Sequence, residues 1–423
     1  MFKFRLTALE KRWIAYDVGN SAFVLLLSTI IPIYFNYLSD SAGLPEADYL
    51  SYWSYATSVS TIIVAFLGPV LGTMADYRGN RKKFFVLSAL AGAIGLACFA
   101  MPNSWMAFLG LYIVAKICYS LSLVFYDSML GDVTTHENMD AVSTIGYAVG
   151  YLGSIIPFVI SLVFVLLYDK FGISYRTAMM IAFILNALWW IGFTIPLYRS
   201  YRQKSWIEPE RHVVHESFAR LKETFSSIKK HRKIFLYLLA FFFYIDGVYT
   251  VIDMATAYGT SLGLDTAGLP LALLVTQIVA FPASMLFAGL SRRQDAVKLI
   301  KICIIAYFCI GAFAIFLEQL WQFWVLAVAV GCFQGGIQAL SRSYFAKIVP
   351  HEKAGEYFGI YDICGKGASF IGLLIVGFVT QLTGRQSLGV ACITLLFVIG
   401  YILFAKAAAL PNDDVKNVID SID

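Results

Sequence analysis

The sequence predicts an all-α polytopic membrane protein whose twelve transmembrane helices form two pseudo-symmetric six-helix halves. Three observations lead to this fold class: an apolar composition, twelve apolar segments, and basic residues that cluster on one side of the predicted topology. Of the 423 residues, 59% are hydrophobic and 14% are charged, whereas soluble domains have about 45–50% and about 25%. This composition excludes a soluble enzyme, a disulfide scaffold and a disordered chain.

Twelve segments can cross a bilayer, since a transmembrane helix needs about 20 mostly apolar residues. Spans one to twelve are predicted at residues 13–38, 51–74, 84–101, 105–127, 142–167, 176–198, 234–260, 268–291, 297–317, 321–345, 356–381 and 385–409. Most connections between them are short. The polar stretch 199–233 is the exception, and it separates an N-terminal half at 1–198 from a C-terminal half at 234–423.

The long connection 199–233 carries apolar residues at helical spacing, namely Phe218, Leu221, Phe225 and Ile228. This pattern predicts an amphipathic helix that lies along the cytoplasmic membrane surface. A solvated linker helix is the alternative.

Basic residues indicate the orientation in the membrane. With the N-terminus in the cytoplasm, 27 of the 32 Lys and Arg residues fall in cytoplasmic segments, and only Lys170, Arg176 and Arg385 fall in outside loops. We therefore expect a multi-pass protein in the cell inner (cytoplasmic) membrane with both termini in the cytoplasm. The net charge of +5 follows from this topology, so we expect no nucleic-acid partner.

Cysteine and histidine placement predicts no cofactor and no metal site. All seven cysteines lie in apolar segments without a Cys-x-x-Cys pair, and all five histidines lie in predicted cytoplasmic loops. Two strings that resemble enzyme motifs, Gly259–Gly263 and Gly365–Gly367, lack the strand or the glycine spacing that those motifs require. We therefore expect no enzyme and no catalytic residues.

The two halves resemble each other in sequence. A shift of 215 positions places residues 126–154 on 341–369 without a gap, and the identities include Ser128 with Ser343 and Gly150 with Gly365. Two related six-helix halves are typical of transporters that bind their solute between the halves near the midplane.

The loop between spans two and three carries a recognisable string, Gly72-Thr-Met-Ala-Asp76-Tyr-Arg78-Gly79. Gly72 lets helices approach closely, Gly79 permits a turn, and Asp76 can pair with a positive group or a helix N-terminus. The string resembles the loop signature of the major facilitator superfamily. This resemblance implies that Gly72, Asp76, Arg78 and Gly79 form a latch that stabilises one access state.

The loop also departs from that signature. Tyr77 and Asn80 stand where the family usually has basic residues, and the counterpart loop near Ser291 has no aspartate. A plain loop of the cytoplasmic side is the alternative interpretation.

Four further strings are similar to the vacuole effluxer-like (autophagy-related) branch of this superfamily. They are Tyr16–Phe23 in span one, Ala187–Trp190 in span six, Gly335–Ser343 in span ten and Glu356–Asp362 in span eleven. Val18-Gly19 stands where the branch more often has Trp-Ala. The resemblance implies solute export or uptake, with amino acids as the best-known substrate class, and the short chain favours a bacterial member.

Charged and polar residues inside spans are costly unless they face a cavity or a partner. The resemblance implies that spans one, four, seven and ten line the solute pathway. These spans carry the candidate residues for solute binding or coupling, which are Asp17, Asn20, Lys116, Asp127, Asp246, Tyr249, Asp253, Gln334, Gln338 and Arg342. Asp246 is the first candidate to carry a proton and Asp253 the second, and a solute-binding counter-charge is the alternative.

The repeat places Asp127 opposite Arg342, and we expect these two side chains to form an inner gate near the cytoplasmic end. The alternative is that Asp17 and Arg342 only extend their charges to the membrane surface. Asp362 and Lys366, four residues apart, are spaced as an internal ion pair of span eleven.

These patterns predict a monomeric secondary active transporter that moves a small polar solute, by resemblance an amino acid, through the lipid bilayer by alternating access. Protons are the candidate coupling ion. One alternative is a membrane receptor or assembly partner that retains the fold without transport. A membrane enzyme that acts on lipids is disfavoured, because the charges inside spans are spread over several helices instead of being clustered at one membrane face.

Overall fold

The computed structural model describes residues 5–44, 46–208, 231–261, 268–383 and 386–411, and for several residues in spans two, seven, eight and eleven, Asp253 and Lys366 among them, it describes the backbone alone. A helix coincides with each of the twelve predicted spans. In chain order the helices are Ala8–Leu27 with Ile30–Ser41, Glu46–Ala75, Asn80–Ala97, Trp105–Ser128, Met139–Leu166, Tyr175–Ser200, Arg232–Ser261, Gly268–Leu290, Ala296–Ala314, Leu320–Ile348, Ala354–Thr383 and Gln386–Ala409. A short helix, Leu130–Val133, and a 3₁₀ turn, His351–Lys353, lie in the connections.

Nine of the helices in these ranges, counting Ala8–Ser41 as one, are long and apolar enough to cross a membrane. The helix Asn80–Ala97 carries Arg81, Lys82 and Lys83 in its first turn, which lowers its mean hydropathy. The all-helical architecture follows from the solvent, because hydrocarbon offers no partner to backbone N–H and C=O groups and a helix satisfies them internally.

Span one begins and breaks at identifiable side chains. Thr7 caps its start, since the Thr7 hydroxyl accepts from the Glu10 amide at 3.2 Å and the Glu10 carboxylate accepts from the Thr7 amide at 2.7 Å. The predicted continuous helix is interrupted at Ser28 and Thr29. Their hydroxyls donate to carbonyls four residues earlier, at 3.1 and 2.5 Å, and thus compete with the helical hydrogen-bond ladder.

Helices pack against each other within each half, and the two halves contact each other through a few spans. Span one packs against spans five and six, and span seven packs against spans eleven and twelve. Between the halves, span two packs against span eleven, and span five packs against spans eight and ten. We call the end of the bundle formed by residues 76–79, 129–138, 201–208, 291–295 and 349–353 the basic end.

Spans two and eleven touch backbone to backbone through two pairs of glycines. A Cβ added to Gly355 would lie 2.5 Å from the Gly72 carbonyl oxygen, and a Cβ added to Gly359 would lie 2.7 Å from the Gly68 carbonyl oxygen. Gly68 and Gly72 are four residues apart in span two, and Gly355 and Gly359 are four residues apart in span eleven. This spacing allows helix axes to approach closely in membranes. This close approach brings span two of the N-terminal half into direct contact with span eleven of the C-terminal half.

Candidate functional site

The two halves are joined by hydrogen bonds at the basic end. In the part of the chain that the structure describes, ten hydrogen bonds link residues between 17 and 143 to residues between 339 and 356. The bundle is therefore closed at the basic end in this structure.

Arg342 of span ten is the centre of this closure. Its Nη1 donates to the Asp127 carboxylate at 3.0 Å, and its Nη2 donates to the Asp17 carboxylate at 3.4 Å. Ser143 of span five accepts two more bonds, from Nε to its hydroxyl at 2.9 Å and from Nη2 to its carbonyl at 3.0 Å. The contact expected between Asp127 and Arg342 is present.

Asp17 and Arg342 do not extend to the membrane surface, because only 6% and 3% of their surfaces are exposed. The alternative interpretation of these two residues is therefore wrong. Sequence spacing could not show this, since depth along a helix does not reveal whether a neighbouring helix covers the side chain.

Three aromatic rings enclose the guanidinium group. Its central carbon lies 4.5 Å from the ring centre of Tyr147, 4.7 Å from Trp13 and 5.5 Å from Tyr126. Trp13 and Tyr126 stack at 4.3 Å, and each donates a side-chain hydrogen bond of 3.1 Å to the other's carbonyl. The three rings thus stabilise the cation through cation–π contacts.

Pseudo-symmetry explains why Asp127 and Arg342 meet. They are equivalent positions of the two repeats, separated by 215 residues. Two equivalent positions related by a two-fold axis can touch only close to that axis. The pair therefore lies close to the pseudo-two-fold axis between the halves.

A second ion pair joins the halves beside the first. Lys347 at the end of span ten lies 2.5 Å from the Asp140 carboxylate at the start of span five, and the Ser343 hydroxyl donates to the same carboxylate at 2.7 Å. No sequence pattern singles out Asp140 or Lys347, because charges are ordinary at helix ends and the repeat does not pair these positions.

Asp76 occupies the expected position in the loop between spans two and three. Its buried carboxylate accepts from the backbone amides of Gly355 and Glu356 at 2.8 and 3.0 Å, in the first turn of span eleven, and from Arg81 at 2.6 Å. It thus contacts both a helix N-terminus and a positive group. Gly79 has a φ of 75°, which the tight turn requires.

Arg81, not Arg78, is the cation of this loop. Arg78 is exposed, with its guanidinium 3.9 Å from the Glu208 carboxylate and 5.1 Å from the ring of Trp206. Arg81 is fully buried and bridges Asp76 to Asp132, the latter at 3.0 Å. The expectation for Arg78 is thus corrected, since the helical turn that begins at Asn80 carries position 81 inward.

The start of the long connection supports this loop. The Gln203 amide donates to the carbonyls of Ala75 and Asp76 at 3.4 and 3.3 Å, and its oxygen accepts from the Gly79 amide at 3.0 Å. The Tyr201 hydroxyl donates to Asp132 at 2.5 Å. The predicted amphipathic stripe of the connection falls in 209–230, outside the described residues.

We expect Gln203→Ala to lower the free energy of unfolding by about 1.5–4.5 kcal/mol, because three hydrogen bonds to the loop are lost at about 0.5–1.5 kcal/mol each. Thermal unfolding in detergent measures the change. Lys204→Ala is the matched control, since Lys204 is exposed. Equal unfolding midpoints for the two variants would contradict a supporting role of Gln203.

Asn20 belongs to the cluster around Arg342, because its amide donates to the Asp17 carboxylate at 3.4 Å. Lys116 is half-buried, with its ammonium 5.9 Å from the ring centre of Tyr112. Tyr249 and Gln338 are half-buried, and the side chain of Asp253 is not described.

Asp246 is buried within the C-terminal half. Its Oδ1 accepts from the backbone amide of Gly372 in span eleven at 3.0 Å and from the Thr250 hydroxyl at 3.4 Å. Gly372 allows this approach, because an added Cβ would lie 2.8 Å from the same oxygen. These hydrogen bonds of Asp246 thus lie within the C-terminal half, in span seven and between spans seven and eleven.

Two six-helix halves that meet through buried charges at one end define a transporter of the major facilitator fold. The family model described as "Vacuole effluxer Atg22 like" matches residues 9–139 and 131–409. The chain belongs to this family, as the sequence resemblance predicted.

Relatives agree with this assignment. The uncharacterized MFS-type transporter YxiO of Bacillus subtilis (strain 168) is 41% identical over 417 residues, with 97% of both chains covered. Autophagy-related protein 22-1 of Neosartorya fischeri is 22% identical, with 80% of this chain and 71% of the relative covered. The chain is thus an MFS-type transporter, and the bacterial relative supports the expectation of a bacterial member.

The fold is shared with solved structures. FucP in the outward conformation superimposes with a TM-score of 0.70 at 14% identity, covering 95% of this chain and 97% of that chain. The prediction of an all-helical membrane protein with the major facilitator fold is confirmed, and the protein is a multi-pass membrane protein.

Proposed function

We propose that this transporter moves a small polar solute, with amino acids as the substrate class, by secondary active transport and alternating access. The observation that carries the proposal is Arg342, held between Asp17 and Asp127 across the two halves. A buried ion pair gains Coulomb energy but loses hydration, so separating it into a water-filled pathway changes the free energy little. Such a contact suits a gate that must open and close repeatedly.

The proposal of amino acids as substrates rests on the family resemblance and on the presence of both positive and negative side chains in the spans. Lys116 and Asp246 lie along two helices that the family resemblance places at the pathway. An amino acid carries both charges, so a pathway with separated cationic and anionic groups matches it.

The closed basic end supports an assignment of conformation. The basic loops favour a cytoplasmic position for this end, because cytoplasmic segments hold 27 of the 32 Lys and Arg residues. Closure at the cytoplasm corresponds to an outward-facing state. The same orientation places both termini inside the cell. We also propose that the protein acts as a monomer in the cytoplasmic membrane.

Asp246 is the proposed proton carrier. It is fully buried, and its Oδ2 has no hydrogen-bond partner among the described residues. A carboxyl in this position can accept a proton on the free oxygen while Oδ1 keeps the bond from Gly372. The competing role is a fixed counter-charge for the solute.

Uptake into proteoliposomes tests the proposal. Purified protein is screened with each of the twenty radiolabelled L-amino acids, with and without an imposed proton gradient. We expect at least one amino acid to accumulate, and to do so more strongly with the gradient. An absence of flux for every solute would favour the non-transporting receptor.

Asp246→Asn is expected to retain exchange of internal for external solute and to lose accumulation driven by the proton gradient, because the amide cannot carry the proton. The measurement compares counterflow with gradient-driven uptake. Asp169→Asn, at an exposed carboxylate, is the control. Retained accumulation in Asp246→Asn would refute the proton role and leave the counter-charge role.

A further inference from the structure

Three buried polar groups on three spans have no hydrogen-bond partner among the described residues. They are the Tyr151 hydroxyl of span five, the Ser284 hydroxyl of span eight and the side-chain nitrogen of Gln334 in span ten. Most buried polar groups in proteins are paired, so each such group calls for an explanation.

Two of these groups converge at one point of the fold. A Cβ added to Gly335 would overlap the Ser284 hydroxyl and would lie 3.0 Å from Cε2 of the Tyr151 ring. Gln334 immediately precedes Gly335, and only 3% of its surface is exposed. Because Gly335 has no side chain, spans five, eight and ten can pack together around the Ser284 hydroxyl.

The convergence lies between the halves and beyond the gate. Span five belongs to the N-terminal half, and spans eight and ten belong to the C-terminal half. Gln334 precedes Arg342 by eight residues, which is about 12 Å along a helix. The three groups therefore lie deeper in the bundle than the charges that close the basic end.

The chemistry of the three groups is that of a donor set. A phenol hydroxyl, an alcohol hydroxyl and an amide nitrogen all donate hydrogen bonds. Arg342, the cation nearest to them along span ten, already donates to Asp17, Asp127 and Ser143. A solute carboxylate that reaches the closed gate must therefore find its donors elsewhere.

We propose that Tyr151, Ser284 and Gln334 form the subsite that binds the carboxylate of the transported solute. This inference rests on the proposed function, since it assigns one end of an amino acid to named side chains. Alternating access gives the subsite a further property: because its donors come from both halves, it is complete only while the halves are together beside it.

Tyr151→Phe and Ser284→Ala test the subsite by removing a hydroxyl with little change of shape. We expect each variant to raise the KM for amino-acid uptake at least ten-fold while kcat stays within about two-fold. We also expect the thermal midpoint in detergent without solute to stay equal or rise, because removing an unpaired buried polar group relieves its desolvation. A purely structural hydroxyl would give a lower midpoint and an unchanged KM.

Tyr34→Phe is the matched control, because the Tyr34 hydroxyl is also buried without a partner among the described residues but lies in the second helix of span one. Its KM should equal that of the unmodified protein. Competition by L-amino acids and by their carboxamides tests whether the site recognises a carboxylate. The acids should inhibit uptake more strongly than the carboxamides. Tyr151→Phe should reduce this difference in inhibition.

The outcomes separate the two proposals. If the unmodified protein transports no amino acid, the proposed function fails and the subsite falls with it. If it transports amino acids and both variants keep their KM within two-fold, the subsite alone is overturned. The same holds if carboxamides compete as well as the acids.

Discussion

Reversing the charge of Arg342 by Arg342→Asp is expected to reduce solute uptake by about 100-fold or more. The variant places three carboxylates together in a buried cluster, and breaking a buried ion pair costs about 3–5 kcal/mol. Each 1.4 kcal/mol changes a population about ten-fold. The closed basic end would therefore be depopulated, and the transport cycle would stall. Asp127→Arg is expected to act similarly, because it places two cations side by side.

The double variant with Asp127→Arg and Arg342→Asp restores one cation and two carboxylates to the cluster. We expect it to recover at least a tenth of the uptake of the unmodified protein. Initial rates in proteoliposomes measure the recovery, and Lys298→Asp, at an exposed lysine, controls for a charge reversal elsewhere on the same side. A double variant as inactive as the single reversals would show that Asp127 and Arg342 do not act as a pair.

Gly355→Leu is expected to hold the basic end open and to reduce uptake by about 100-fold. A Cβ at this position would lie 2.5 Å from the Gly72 carbonyl oxygen and 2.8 Å from the Asp76 carboxylate. The side chain would therefore collide with span two, and overpacking at about 1–3 kcal/mol shifts the equilibrium away from the closed state. The bonds from Asp76 to the start of span eleven would break at the same time.

Spin labels at Thr135 and Glu352, exposed residues on opposite halves of the basic end, report this change as a longer distance distribution. Gly192→Leu is the matched control, because a Cβ there meets no atom within 4 Å. Distances in Gly355→Leu equal to those of the control, together with normal uptake, would refute the role of this glycine contact in closure.

The sequence predicts the membrane spans well because each span by itself must be apolar and helical to be stable in the hydrocarbon of the bilayer. Hydrocarbon requires about 20 apolar residues in a helix, whatever the neighbouring helices do. The apolar segments of the sequence therefore coincide with helices of the structure, and nine helices of the described ranges are long and apolar enough to cross a membrane. Apolar length did not predict the break of the first helix at Ser28 and Thr29. This break depends on their two hydroxyl groups, which donate to carbonyls of the preceding turn.

The candidate site was only partly predictable. Asp127 and Arg342 were paired from the repeat, because equivalent positions can meet on a pseudo-two-fold axis. The spacing of Gly68 and Gly72, and of Gly355 and Gly359, is also visible in the sequence and could have indicated the contact between spans two and eleven. Arg81 was missed because its direction depends on where span three begins.

By itself, the sequence determined that this chain is a polytopic helical membrane protein with related halves, and its family resemblance indicated a transporter. The tertiary structure alone decided which charges are neighbours: Arg342 with Asp17 and Asp127, Arg81 with Asp76 and Asp132, and Lys347 with Asp140. The physical reason is that hydropathy is a property of each segment, whereas a partner depends on the rotation and depth of two helices at once. For the same reason, the sequence of one helix could not show that Tyr151, Ser284 and Gln334 carry buried groups with no hydrogen-bond partner among the described residues.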